Sequence, residues 1–131
     1  MNNDQLQQWE KRVILTKYIY GQLIKQDSIS IIKKEFSESF LDIDAQFVEV
    51  LEYCFDHKDE IIKILSSKIS DQWTFDRLNL VDQAILLETY SEYQVLKTDK
   101  NILIDQAIIT SKKYSDADSY QFINAVLDKV L

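Results

Sequence analysis

Residues 102–131 read ILIDQAIITSKKYSDADSYQFINAVLDKVL, and the fold is decided there. Ile104, Ala107, Ile108 and Ser111 recur at i, i+3, i+4 and i+7, the spacing of one face of a 3.6-residue helix. Ser119, Phe122, Ile123, Val126, Leu127 and Val130 follow the same rule after a break rich in Ser and Asp. Short side-chain oxygens in such a break cap the free N–H groups of the next helix. Asp116 and Asp118 both suit that place, and either carboxylate is favoured at the positive end of the helix dipole. The stretch is predicted to be a helix, a tight turn and a second helix.

Just upstream, Asn79 to Lys97 forms a longer helical pattern that is apolar nearly all round. Val81, Ala84 and Ile85 lie on one side, with Leu86, Leu87, Tyr90 and Tyr93 on another, as in a helix at the centre of a bundle. Further back, Ile61, Ile62, Leu65 and Ile69 mark one inward face, and Phe47, Val48, Leu51, Cys54 and Phe55 mark another, opened by Asp44 as N-cap. Asp27 and Ser28 cap a short helix over about 29–36, and 37–43 reads as a looser connection. From Gln5 to Ile24, Trp9, Val13, Thr16, Tyr20 and Leu23 give an apolar face that Ile14, Leu15 and Ile19 widen. One glycine and no proline in 131 residues leave little turn chemistry for strands or hairpins. The expectation is a single all-α domain over residues 1–131, a compact bundle of about seven helices.

Several function classes are weakened by composition. A single cysteine, Cys54, cannot close a disulfide within the chain and suits a reducing cytoplasm. No basic-then-apolar leader opens the chain, and no run approaches the roughly 20 apolar residues that span a bilayer, so no membrane role is expected. Cys54 and His57 could share a helix face as nucleophile and base, but Cys54 also lies on an apolar stripe, where a thiol packs and stays inert. One His and one Cys cannot supply a structural zinc site, and Gly21 stands alone inside a helix, so no phosphate-cradling loop exists. No catalysis, metal or cofactor is expected.

The net charge of −7 is unevenly spread. Residues 1–26 are net +2, residues 27–76 net −7 and residues 77–131 net −2. Any phosphate-facing surface must therefore be small and local. The acidic middle suits a basic protein partner, or simply a solvated face.

The C-terminal half resembles a known family. Ile104, Ala107, Ile108, Lys112, Tyr114, Ser119, Phe122, Asn124, Val126, Leu127 and Asp128 stand in register with the C-terminal signature of the NusB family of transcription antitermination factors. Trp73, Arg77, Leu78, Val81, Asp82, Ile85, Leu86 and Glu92 are similar to that family's preceding helix. The resemblance implies two helical sub-bundles sharing a long central helix. It also implies a non-enzymatic factor that binds boxA-type single-stranded RNA together with the ribosomal protein NusE, within an antitermination complex on RNA polymerase.

By the same resemblance, Lys11 and Arg12 on the first helix and Asp118 and Phe122 on the last face RNA, while Asp82 and Glu92 meet NusE. The residues themselves offer other roles: core packing for Phe122, helix capping for Asp118, solvent exposure for Asp82 and Glu92. Two departures stand out. Gln8, Trp9 and Glu10 occupy positions where the family tends to be basic, and Ala125 replaces its glycine. They leave room for two further expectations: a stand-alone relative of the RNA-binding domain of rRNA cytosine methyltransferases, or a docking protein that has lost RNA binding.

Overall fold

The computed structural model describes residues 3–39, 44–69 and 74–131. Among them are seven α-helices, one short 3-10 turn (Phe75–Arg77) and no strand. In chain order the helices are α1 (Asn3–Lys25), α2 (Ile29–Ser39), α3 (Ala45–Asp56), α4 (Lys58–Ser66), α5 (Leu80–Leu96), α6 (Lys100–Tyr114) and α7 (Ser119–Val130). Trp73 and residues 40–43 of the connection before α3 lie outside the described residues.

Helix α5 is the axis. Every residue from Asp82 to Glu92 is buried, as its all-round apolar pattern requires. Asn79 caps it, the side-chain oxygen accepting from the Asp82 N–H at 2.8 Å, and Lys97 ends it in the left-handed region at φ 55°. Helices α1 and α3 pack on α5 to form one sub-bundle, and α6 and α7 pack on it to form the other. Leu15 and Ile19 from α1, Phe47 and Leu51 from α3, Leu86 and Leu87 from α5, and Ile123 and Leu127 from α7 make up the core between them.

Local differences from the sequence reading have physical causes. On α1 the buried set is Arg12, Val13, Leu15, Thr16, Ile19 and Gln22, while Tyr20 is 38% exposed and Ile14 also faces outward. Gln22 tolerates burial because its amide nitrogen donates to Tyr18 Oη and Asp27 Oδ2, and its oxygen accepts from the Asp27 N–H. Asp44 stands at the N-cap of α3 without a side-chain cap; its carboxylate accepts instead from Lys11 Nζ at 2.9 Å. Asp99, unread in the sequence, caps α6 through the N–H groups of Asn101 and Ile102. Asp118 holds the N-cap position of α7, but its side chain makes no cap hydrogen bond.

Gly21 sits in the interior of α1, and a Cβ there would meet nothing within 4 Å. Gly21→Ala is therefore expected to stabilise the fold by about 1 kcal/mol, through lost unfolded-state freedom and better helix propensity. Urea unfolding measures it, and an unchanged midpoint would refute it.

Candidate nucleic-acid interface

Two of the sequence-predicted site residues face each other. Arg12 is 9% exposed and Glu92 0%. Arg12 Nε donates to Glu92 Oε1 at 2.8 Å and to Oε2 at 3.0 Å, while Nη2 donates to Oε2 at 2.9 Å. Thr98 Oγ1 adds a hydrogen bond to Glu92 Oε2 at 2.9 Å, and Arg12 Nη1 donates to Gln106 Oε1 on α6. The guanidinium expected at phosphate and the carboxylate expected at a protein partner are thus joined in the interior. One turn earlier on α5, Glu88 is also buried, with Oε1 lacking any hydrogen-bond partner. Burial first, and then the neighbouring Glu92 charge, raise its carboxyl pKa well above the ordinary 4.5.

Asp82, Asp118 and Phe122 come together. They line a cleft of about 630 Å³ with Arg77, Asn79 and the α6–α7 turn. Asp82 is buried because it holds that turn, accepting from Ser115 Oγ at 2.7 Å; Asn79 Nδ2 donates to Ser115 Oγ and Asp116 Oδ2 beside it. Asp118 is exposed with its carboxylate uncapped, and Phe122 is half-buried, packed against the core yet open to the cleft. Lys11 stands apart, half-buried in its ion pair with Asp44. Asn124, in register with the family signature, is exposed on α7.

Sequence reasoning missed a second feature. Along the seam of α1 and α6, cations and rings alternate. Lys17 Nζ lies 5.2 Å from the Tyr114 ring centre, and Lys113 Nζ lies 5.5 Å from Tyr114 and 5.2 Å from Trp9. Lys112 Nζ stands 4.5 Å from the Tyr120 ring centre, linking α6 to α7. All are within cation–π range. Trp9 is anchored by its indole N–H, which donates to Thr110 Oγ1 at 3.1 Å. An apolar groove of about 210 Å³ runs beside the seam, between Tyr20 and Val13 of α1, Val81 of α5 and Tyr114 of α6. Val81 lines this groove and Asp82 the cleft, so the two depressions flank the same first turn of α5. Tyr114 belongs to both the seam and the groove, and the cleft begins at that same turn of α5. A periodicity search sorts residues by one helix face at a time and cannot pair Lys17 with Tyr114, 97 positions apart.

Cys54 and His57 do not form a reactive pair. Cys54 is fully buried, and desolvation pushes its thiol up to about 12, so it stays protonated. The His57 ring stacks on Tyr53, with centres 4.3 Å apart, and its Nδ1 sits 3.1 Å from the Tyr53 carbonyl oxygen. Among the described residues, no three His, Cys, Asp or Glu side chains converge as metal ligands, and no helix is long and apolar enough to cross a membrane.

Comparison with known proteins agrees with this architecture. A family model described as the NusB family matches residues 8–131. A transcription antitermination protein NusB from Borrelia garinii subsp. bavariensis is 35% identical, with 93% of this chain and 92% of the relative covered. Its counterpart from Borreliella burgdorferi is 32% identical over the same shares. A Treponema denticola relative of the same name is 46% identical over 72 residues, which span 54% of this chain and 52% of that one. Among solved structures, that of T. maritima NusB superposes with a TM-score of 0.72 at 22% identity, covering 93% of this chain and 88% of the other.

Proposed function

As the chain belongs to the NusB family, we propose that it acts in transcription antitermination by binding boxA-type single-stranded RNA along the α1–α6–α7 track. NusE is the proposed protein partner, in a complex on RNA polymerase. The observation that supports this reading is the alternation of Trp9, Lys113, Tyr114 and Lys17. Unstacked bases need flat π faces, and the linking phosphates need cations between them. Lys17, Lys112 and Lys113 supply phosphate contacts. Tyr114 and Trp9 offer stacking faces, and Phe122 offers an edge of ring where the track enters the cleft. The uncapped carboxylate of Asp118 can accept from a base amino group there. Lys11 lies on the same helix as Lys17 and adds a fourth cation if its exposed pairing with Asp44 opens. Asp82 and Glu92 act from within, by holding the α6–α7 turn and α1 in place.

The test is a titration of the full chain into labelled boxA RNA, with and without NusE, at several salt concentrations. Three lysine–phosphate contacts predict a slope of about −2 in log K against log salt for a single strand. NusE should tighten the binding. Lys113→Ala should weaken it and flatten the slope by about 0.7. Binding of NusE without RNA would replace this reading with that of a docking protein. Binding of structured rRNA in preference to boxA would favour the relative of the methyltransferase domain.

A further inference from the structure

The side chains that join α1 to α6 form one continuous line of contacts. Glu92, fully buried on α5, grips Arg12 through Nε and Nη2, and Nη1 of the same guanidinium donates to Gln106 on α6. The Gln106 main-chain carbonyl accepts from Thr110 Oγ1 at 3.0 Å, and that hydroxyl accepts from the Trp9 indole at 3.1 Å. Lys113 stands over the Trp9 ring. A guanidinium is a planar fork with fixed donor directions. Held on Glu92 along one edge and on Gln106 at its remaining nitrogen, it sets both the rotation and the axial position of α1. A slip of one residue, about 1.5 Å along a helix axis, would pull Trp9 from Thr110 and Lys17 from Tyr114. A guanidinium already matched by a buried carboxylate is not free to meet a phosphate.

We propose that Arg12 is a positioning residue for the RNA track: held by Glu92 and Gln106, it fixes α1 in the register at which Trp9 and Lys17 meet Lys113 and Tyr114. This rests on the RNA reading above and gives Arg12 a role other than direct contact with phosphate. Glu92 and Gln106 share that role, although neither lies on the track.

The test compares Arg12→Lys, Glu92→Gln and Gln106→Leu in the full chain carrying Trp73→Phe, which leaves Trp9 as the one indole. Each is expected to weaken binding of single-stranded boxA RNA about tenfold, the size of one lost base-stacking contact. The salt slope should stay at the parent's value, because the three lysines remain. The Trp9 indole N–H resonance should move or broaden in all three. If Arg12 touched phosphate instead, Glu92→Gln would release its charge and tighten binding with a steeper slope. That outcome, or an indole resonance that stays in place, overturns the proposal. Gln106→Leu strands no charge, so it carries the comparison where the other two lose helix content. A parent protein that binds no RNA defeats the RNA reading alone; the indole resonance still decides whether Arg12 sets the register.

Discussion

Arg12→Leu is expected to cost about 3–5 kcal/mol of folding stability, read as a lowered urea midpoint with little change in slope. The magnitude comes from what is left behind. Glu92 is fully enclosed, and three of the hydrogen bonds to its carboxylate come from Arg12. Without the guanidinium it keeps the Thr98 hydroxyl but loses its countercharge. An unmatched buried carboxylate is far worse than an apolar residue in the same volume. Arg12→Met combined with Glu92→Leu should therefore recover most of the loss. An Arg12→Leu protein as stable as the parent would show that the pair contributes nothing. An additive double variant would show that the two residues act separately.

Glu88→Gln is expected to change how stability depends on pH. Glu88 lies in the interior one turn from Glu92, with Arg12 of α1 and Cys54 of α3 as its other ionisable neighbours. One arginine cannot neutralise two enclosed carboxylates, so Glu88 keeps its proton far above 4.5. The sign follows from linkage. The folded state holds a proton that the unfolded chain releases near 4.5, so this contribution is complete below that pH. It is lost as pH climbs toward the raised folded value, at about 1.4 kcal/mol per unit. Glu88→Gln carries no such proton. Its stability relative to the parent should therefore grow as pH rises above about 4.5 toward the raised folded value. Urea midpoints of both proteins across that range decide it, and parallel curves would mean that Glu88 ionises normally in the fold.

Helices written as apolar periods were legible: α5, α6 and α7 appear where the spacing puts them, and the all-α bundle follows from those patterns together with the shortage of turn residues. Legibility fell where a polar group was enclosed. Arg12, Glu88, Glu92, Gln22 and Asp82 are all buried, yet hydropathy reads a charge or an amide as outward. Their partners make burial tolerable, and the partner of Arg12 stands 80 positions away. The same blindness turned the expected face of α1 toward Tyr20. Resemblance brought Asp118 and Phe122 to attention, and the structure sets them with Asp82 in one cleft. Chain pattern alone offered no means of finding the lysine–ring seam, because its members belong to different helices.

The central position of α5 also sets an order of events during synthesis. Helix α1 leaves the ribosome first, but the helices it packs on and bonds to through Arg12 and Trp9 are α5 and α6, made more than 50 residues later. Until then its apolar stripe, with Leu15 and Ile19 at the middle, lacks its main packing partner α5. Such an exposed stripe is what holdase chaperones recognise, and contacts of long sequence separation form late. A nascent chain stalled before residue 96 would therefore lack the surface assigned to RNA, and the factor would become competent only after α6 and α7 have been made.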